Sequence, residues 1–180
     1  MEDKARLKHL LRYLKGTIDY ECVLVPHLTT KHHEQPTEVH TYVDSDWAGC
    51  QKTRKSTSGT VVQILGCTVH HFSKTQNSIA TSSGEAELYA IGSGTSETLG
   101  LSNFLQESKL ARTTTLYVHT DSTAAKSISS RQGTSKLTKH IQLRYLYMQN
   151  LVQEGILTIR KIPTQDNCAD ILTKYVRIQY

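Results

Sequence analysis

Four leucines near the start of the chain are spaced as on one face of a helix, with basic residues between them: Leu7, Leu10, Leu11 and Leu14. Gly16 stands where such a helix would end. From Thr29 to Glu38 the chain is polar and has no periodicity. The pattern therefore predicts an amphipathic helix followed by a linker.

Beyond the linker, three segments with many β-branched and aromatic residues predict strands: Val39 to Trp47, Thr57 to Leu65 and Cys67 to Ser73. Gly66 supplies a tight connection between the second and the third. Sequential strands with short connections indicate an antiparallel meander.

Helical and strand patterns alternate in the second half of the chain: a helix from Ser83 to Ser108, a strand from Leu116 to Thr120, helices from Ser122 to Ser130 and from Lys136 to Gln153, a strand from Ile156 to Ile162 and a last helix from Asn167 to Val176. A strand, a long helix and another strand imply a parallel crossover. The order predicts an α/β fold with a mixed five-stranded sheet, three antiparallel strands plus parallel strands, flanked by helices. Ligands of such sheets bind beyond the carboxyl ends of the parallel strands.

Composition narrows the class of protein. A chain of 180 residues can bury one sizeable core, and a net charge of +5 makes a polyanionic partner plausible. The four cysteines lie far apart, with no histidine at zinc-ligand spacing, so neither a disulfide framework nor a zinc site is indicated. No apolar run approaches the ~18 residues of a membrane span, and the start of the chain is unlike a signal peptide. We therefore expect a soluble intracellular protein.

Four acidic residues fall where the predicted sheet would bring them together. Asp44 lies late in the first strand, Asp121 follows the fourth strand, Glu87 is near the start of the long helix, and Asp170 is in the last helix. Clustered carboxylates repel one another unless cations neutralise them, and hard oxygen ligands select Mg²⁺ or Mn²⁺. Each acid alone has a simpler interpretation, as a helix cap, a turn former or a surface charge. Together they predict a site in which two cations clamp a phosphodiester.

Glu85 and Glu87 compete for one of these roles. Ser82 and Glu85 have the spacing of a capping box, which gives Glu85 a structural task. Glu87 begins the helix face that should pack toward the sheet, which continues through Ile91, Gly94, Leu101 and Leu105. A carboxylate on that face needs a partner such as a metal ion, so Glu87 is preferred. Asp46 shares the strand face of Asp44 but lies nearer the end of the strand, so it is at best a supporting residue.

Five segments stand in an order and spacing that are specific as a set: Tyr42 to Gly49, Lys55 to Gly59, Ser82 to Leu88, Thr138 to Ile141 and Ala169 to Lys174. Together they resemble the ribonuclease H domain of copia-type (Pseudoviridae) retrotransposon Pol polyproteins. Glu87 to Ile91 also resembles the Glu-Leu-x-Ala segment of ribonucleases H in general. Arg12 to Thr17 resembles the segment that joins the reverse transcriptase to this domain, so the resemblance covers nearly the whole chain.

The resemblance implies a ribonuclease H-like fold and an enzyme that hydrolyses the RNA strand of RNA–DNA hybrids during reverse transcription. It implies that two Mg²⁺ ions, for which Mn²⁺ can substitute, are held by the catalytic set Asp44, Glu87, Asp121 and Asp170. Residues 1–37 would be a connection helix and linker from the reverse transcriptase, and residues 38–180 the ribonuclease H domain. The implied partners are the hybrid and the reverse transcriptase domain of the same polyprotein, with no membrane, in a cytoplasmic virus-like particle or in the nucleus.

The sequence departs from the family pattern at several positions. Gly84 stands where threonine is more frequent, Leu88 where an aromatic residue is common, and Phe72 where tryptophan is usual. These are mild changes of core or turn residues. Many ribonucleases H carry a histidine shortly before the last aspartate that assists leaving-group protonation or product release, but no residue from Ile141 onward is histidine. Water would then deliver the proton, or turnover would be slow.

Basic residues near the start of the penultimate helix suggest an external anion: Lys136, Lys139, His140 and Arg144. The helix dipole disfavours positive charges at the start of a helix, so contacts with duplex phosphates would explain these basic residues. The alternative is that they form a solvated helix face. The basic loop from Gln51 to Ser56 either touches the duplex backbone or is a soluble hairpin. Residues adjacent to the acids are candidates for contacts with RNA 2′-hydroxyls: Ser45, Ser83, Gly84 and Ser122.

Two other functions stay open on sequence alone. The domain could be a non-catalytic nucleic-acid-binding or connection remnant of a decayed element, although its carboxylates are intact. It could also be a nuclease of related fold that acts on DNA, such as an integrase or resolvase core. Preference among hybrid, double-stranded RNA and duplex DNA would separate these functions.

Overall fold

A computed structural model describes residues 2–26, 35–123 and 142–174 of the chain. Its helices are α1 (Glu2–Gly16), α2 (Ser83–Glu107) and α3 (Gln142–Gln153). Its strands are β1 (Thr37–Asp46), β2 (Thr57–Ile64), β3 (Cys67–Thr75), β4 (Thr114–Thr120) and β5 (Leu157–Lys161). Short 3₁₀ helices follow β5 at Thr164–Asp166 and Cys168–Leu172.

The five strands form one sheet in the order β3-β2-β1-β4-β5. β2 pairs antiparallel with both β1 and β3. β4 pairs parallel with both β1 and β5. The predicted mixed sheet, an antiparallel meander extended by parallel strands, is therefore confirmed, and α2 carries the chain from the edge strand β3 across to β4.

The central strand β1 determines which face of the sheet carries the core. Val39, Thr41 and Val43 alternate along β1, and all three are fully buried. The apolar core lies between this face and the helices. The helical residues in the core include Leu88, Ala90, Ile91 and Leu105 from α2, and Met148 and Leu151 from α3. Asp44 follows Val43, so it points to the opposite face.

α2 packs against β1 so closely that Gly94 has no room for a side chain. A Cβ atom at Gly94 would lie 2.4 Å from Val43 Cγ1 and 3.3 Å from Thr41 Cγ2. The hydroxyls of Thr41 and Thr98 hydrogen bond at 2.6 Å, and Thr98 donates to the Gly94 carbonyl at 2.7 Å. The buried face of α2 thus passes through small and hydroxylated residues, while Leu101, predicted on this face, is only partly buried.

α1 forms where the leucine spacing predicts a helix, but its apolar face is not buried. More than half of the surface of each predicted leucine is exposed, at Leu7, Leu10, Leu11 and Leu14. None of them belongs to the core. Periodicity identified the helix correctly, but nothing in the described residues covers this face. None of the helices in the described ranges combines the length and the apolar character that crossing a membrane requires.

The last described segment, which ends at Lys174, is a 3₁₀ helix where the sequence predicts a helix from Asn167 to Val176; Tyr175 and Val176 lie outside the described residues. A 3₁₀ helix begins at Cys168 and ends at Leu172, and Asn167 Oδ1 caps it by accepting the N–H of Ala169 at 3.2 Å. Asn167 also donates its Nδ2–H to the Val43 carbonyl at 2.9 Å. This contact with β1 explains the difference, because it holds the segment against the sheet.

Two other predicted helices are described only in part. Residues 124–141 lie outside the described residues. They include most of the predicted helix from Ser122 to Ser130 and the first part of the one from Lys136 to Gln153.

Replacing Gly94 with Ala should destabilise the fold, because the added methyl group meets β1 and the two elements must separate. Overpacking of this kind costs about 1–3 kcal/mol in the free energy of unfolding, which urea denaturation measures. Gly100→Ala is the matched control, since Gly100 lies in the same helix and an added Cβ would have no atom within 4 Å. There alanine should stabilise by about 0.5–1 kcal/mol. Equal effects at both positions would contradict this packing.

Candidate metal centre

Parallel pairing brings two acids to one edge of the sheet. The register of β1 with β4 ends at Tyr42 opposite His119. Asp44 lies two residues beyond Tyr42 and Asp121 two residues beyond His119, so the two acids are level. Glu87, one turn into α2, completes the group. One carboxylate oxygen from each of Asp44, Glu87 and Asp121 lies within 4.8 Å of the other two. We call these residues the three-acid group.

Ser45 holds Glu87 in the group. Its hydroxyl and its backbone N–H donate to Glu87 Oε1 at 2.9 Å and 3.3 Å. Oε2 is buried and has no hydrogen-bond partner among the described residues. Burial, and after it the negative charge of Asp44, raises the pKa of Glu87 to about 8. A cation at this position would therefore stabilise the ionised carboxylate at neutral pH.

Glu85 is engaged in holding the start of α2. Ser82 Oγ accepts the N–H of Glu85 at 3.2 Å. Glu85 Oε2 accepts the N–H and the hydroxyl of Thr81 at 2.7 Å and 2.6 Å, so the carboxylate reaches one residue beyond the capping residue. The Tyr89 hydroxyl donates to the other oxygen, Oε1, at 3.1 Å. Both oxygens of Glu85 are thus hydrogen bonded at the helix terminus, and the three-acid group contains Glu87 instead.

Asp44 is almost fully buried, with 2% of its surface exposed. Burial raises its pKa, the hydrogen bond donated by the Thr173 hydroxyl to Oδ2 lowers it, and the negative charge of Asp170 raises it again, with a net increase. Asp46, which the alternation of β1 places on the same strand face, accepts the backbone N–H of Thr57 and has a structural role in the β1–β2 pair.

The segment that carries Asp170 reaches the site because Gly59 has no side chain. Gly59 pairs with Asp44 across β1 and β2. A Cβ atom there would lie 2.9 Å from each of three atoms of the segment: the Ala169 carbonyl oxygen, Leu172 Cβ and Thr173 Cγ2. Any larger residue would push the segment away from the three-acid group.

Asp170 lies next to the three-acid group but is not a member of it. Its Oδ2 forms an ion pair with Lys174 Nζ at 2.5 Å. Its Oδ1 is buried and has no hydrogen-bond partner among the described residues. The negative charge of Asp170 contributes to the raised pKa of Asp44.

Three residues that sequence reasoning did not single out hold the acids in place. Thr173 donates to Asp44, and Thr164 donates its hydroxyl to Asp121 Oδ2 at 2.8 Å. Asn167 ties the Asp170 segment to β1. Thr164 and Asn167 lie shortly after the end of β5, which is parallel to β4, so their position at the same sheet edge was a usable signal. Thr173 has no such signal because its contact depends on the fold of the terminal segment.

A divalent cation fits the residues at this edge. The acids offer carboxylate oxygens, which Mg²⁺ and Mn²⁺ prefer. Two oxygens, Glu87 Oε2 and Asp170 Oδ1, are buried without a hydrogen-bond partner in the described part of the chain. Buried polar atoms without a partner are costly unless a ligand meets them. The residues present therefore suit a hard cation.

Four small residues predicted to contact RNA remain predictions: Ser45, Ser83, Gly84 and Ser122. Ser83 and Gly84 are the first two residues of α2, one turn before Glu87. The hydroxyl of Ser45 already serves Glu87. Ser122 directly follows Asp121, and its N–H donates to the Thr120 hydroxyl at 3.1 Å.

The predicted basic surfaces are described only in part. Lys136, Lys139, His140 and the side chain of Arg144 lie outside the described residues. In the other predicted basic loop, the residues from Gln51 to Arg54 are exposed. Ser56 is fully buried, and its hydroxyl accepts the N–H of Ala48 at 2.9 Å, so Ser56 has a structural role in this loop.

The chain is similar to transposon Pol polyproteins along nearly its whole length. It is 31% identical over 168 residues to the retrovirus-related Pol polyprotein from transposon RE1 of Arabidopsis thaliana, which covers 93% of the chain. It is 34% identical over 170 residues to the corresponding polyprotein from transposon TNT 1-94 of Nicotiana tabacum, which covers 94% of the chain. The chain spans 11% and 12% of the lengths of these two polyproteins. No family model matches the chain.

Solved structures that are similar to this chain include ribonucleases H. The N-terminal ribonuclease H domain of rv2228c from Mycobacterium tuberculosis has a TM-score of 0.55 at 17% identity, over 76% of this chain and 91% of that one. LC11-RNase H1, isolated from compost, has a TM-score of 0.56 at 18% identity, over 75% of this chain and 91% of that one. At these identities the likeness shows a common fold.

Replacing Glu87 with Gln should stabilise the metal-free protein, and more so at alkaline pH. The folded-state pKa of Glu87 is about 8, above its ordinary value of 4.5. Between these two values the unfolded state is ionised while the folded state keeps its proton, so the free energy of unfolding falls as the pH rises. Glutamine avoids that cost, and the gain should reach about 1–3 kcal/mol near pH 8.5 and be small near pH 5. Urea unfolding in EDTA measures both values.

Glu107→Gln provides the control, because Glu107 is exposed near the end of the same helix. It should change stability little at either pH. A Glu87→Gln variant that is less stable than the parent near pH 8.5, or shows no pH dependence of the difference, would contradict the electrostatic description of the site.

Proposed function

Because this chain is homologous to a segment of copia-type Pol polyproteins and has the ribonuclease H fold, we propose that it is a metal-dependent endoribonuclease. Its substrate is the RNA strand of RNA–DNA hybrids formed during retrotransposon reverse transcription. The observation that carries the proposal is the convergence of Asp44, Glu87 and Asp121 within 4.8 Å at the carboxyl ends of parallel strands. Open sheets of this type bind their ligands at that edge.

The acids would hold two divalent cations, Mg²⁺ or Mn²⁺, with Asp44, Glu87 and Asp121 at the first and Asp170 completing the second. Bound there, the cations would supply an activated water and stabilise the charge of the reacting phosphate. The surrounding hydroxyls orient the acids, since Ser45 bonds to Glu87, Thr164 to Asp121 and Thr173 to Asp44. Orientation before binding reduces the cost of assembling the site.

Water would deliver the proton to the leaving group. The sequence has no histidine after His140, so no histidine can stand shortly before Asp170.

The charge of the chain supports a nucleic-acid substrate. The net charge is +5, although the cluster at the sheet edge is acidic. Basic side chains elsewhere would contact phosphates and position the duplex without reading its sequence, as a hybrid nuclease requires. The predicted contacts are Lys136, Lys139, His140 and Arg144.

The N-terminal segment supports a connection to the reverse transcriptase. The leucine face of α1 is exposed, and apolar faces of this kind mark surfaces that another protein covers. Residues 1–37 would therefore form the connection, and residues 38–180 the nuclease. The reverse transcriptase domain of the same polyprotein is the proposed partner.

Cleavage of a labelled RNA–DNA hybrid in Mg²⁺ and in Mn²⁺ tests the proposal. The chain should degrade the RNA strand alone, and Asp44→Asn should reduce the rate by at least about a hundredfold, because the substitution removes a charge from the three-acid group. Asp166→Asn is the matched control, since Asp166 is exposed in the 3₁₀ helix that follows β5. It should retain the parental rate.

Each alternative function predicts a different result in the same assay. Salt-sensitive hybrid binding without cleavage in either metal would favour a non-catalytic remnant. Cleavage of duplex DNA in preference to hybrid would favour a DNA nuclease of related fold. Full activity of Asp44→Asn would refute the assignment of the site.

Gly59→Ala tests the placement of the Asp170 segment. The added methyl group should displace that segment from the three-acid group and lower hybrid cleavage by about ten- to a hundredfold, since small misplacements of reacting groups are costly. Circular dichroism should show a folded protein. Parental activity in a folded Gly59→Ala variant would show that the close packing at Gly59 does not serve the site.

A further inference from the structure

Lys174 places a positive charge at the edge of the acidic site. Its ammonium group lies 2.5 Å from Asp170 Oδ2, and about half of the side chain is exposed. Burial lowers the pKa of Lys174, but the hydrogen bond to Asp170 and the negative charges of Asp44, Asp170 and Asp121 outweigh burial and raise it. The negative charges of three acids in the site therefore act on the Lys174 ammonium group.

Asp170 differs from the other acids because its hydrogen-bond partner is a charged lysine. The three-acid group is formed without it, and each member of that group is hydrogen bonded by a neutral donor. Asp170 instead has one oxygen in an ion pair with Lys174, while its other oxygen is buried and has no hydrogen-bond partner in the described ranges. One oxygen of the carboxylate is thus paired with an internal cation, and that positive charge would repel a divalent cation that approaches the other oxygen.

We propose that Lys174 is a built-in counter-ion of Asp170, which a second divalent cation must displace, so that the site binds its cations in a fixed order. This inference rests on the proposed metal site. The first cation binds at the three-acid group, where no ammonium group of the described residues forms an ion pair. The second binds at Asp170 only when the Lys174 side chain leaves.

The backbone of the segment allows this exchange without unfolding. The Lys174 N–H donates to the Asp170 carbonyl at 3.0 Å, and the Thr173 hydroxyl bonds to Asp44 and, at 3.1 Å, to the same carbonyl. These bonds hold the chain in place on both sides of the ion pair. The half-exposed lysine side chain can therefore rotate into water while Asp170 keeps its position.

The energies favour replacement of the ammonium group by a divalent ion. A half-exposed lysine–carboxylate pair contributes little, because the charges are partly hydrated and the long side chain loses conformational freedom. A divalent cation brings twice the charge and accepts several oxygen ligands at once. Lys174 should therefore lower the affinity for the second cation modestly without preventing that cation from binding.

Mn²⁺ titration of the full chain by calorimetry, with free Mn²⁺ followed by electron paramagnetic resonance, tests the order of binding. Lys174→Met should lower the ratio of the second dissociation constant to the first by about three- to fivefold, the range expected for loss of one partly exposed ion pair. Lys174→Arg restores the charge and should restore the parental ratio. Lys74→Met, at an exposed position of β3, should leave it unchanged.

Asp170→Asn separates this effect from a general change of charge. In an Asp170→Asn background the second ion should bind weakly, and Lys174→Met should no longer change the ratio. Lys174→Gln serves as a second neutral variant if Lys174→Met does not fold.

The outcomes separate the two proposals. An unchanged ratio in both neutral variants, or the same ratio change in the Asp170→Asn background, would overturn the role of Lys174 and leave the metal site standing. Parental protein that binds no Mn²⁺ would overturn the metal site and this inference together.

Discussion

Repulsion among carboxyl groups within 4.8 Å of one another is the constraint on which the rest of the site depends. Hydroxyl donors oppose it, from Ser45 on β1, Thr164 after β5 and Thr173 in the terminal segment. Burial, together with this repulsion, outweighs the donors and keeps the pKa values of Asp44 and Glu87 raised. The remaining cost is what a divalent cation would remove. The three-acid group therefore destabilises the protein when no cation is bound.

Two glycines let separate elements come close enough to build this edge. Gly94 seats α2 on β1 and so positions Glu87 relative to Asp44, while Gly59 admits the terminal segment on the opposite face of the sheet. Gly94 contacts β1 directly, and Gly59 pairs with Asp44 of β1. The parallel pairing of β1 with β4 then aligns Asp121 with Asp44. Packing on both faces of one central strand thus determines where the acids meet.

Sequence patterns predicted the parts of this structure that depend on local chemistry. Alternation located β1, helical spacing located α2, and the capping geometry of Glu85 correctly assigned that residue to the helix terminus. The exposure of α1 was not predictable, since a leucine stripe does not reveal whether a partner covers it. The 3₁₀ form of the last segment and the pairing of Lys174 with Asp170 were also missed. The 3₁₀ form depends on tertiary contacts, made by Asn167 and at Gly59, that no local pattern encodes, whereas the i,i+4 spacing of the ion pair was a usable signal.

The central claim is that the three-acid group binds a divalent cation. The most direct test is a crystal of the full chain grown in Mn²⁺, with an anomalous difference map recorded near the manganese absorption edge. We expect a peak coordinated by carboxylate oxygens of Asp44, Glu87 and Asp121, and a second peak at Asp170 only when the ion pair with Lys174 is broken. A map without a peak at the three-acid group, at Mn²⁺ concentrations well above those used for activity, would contradict the account.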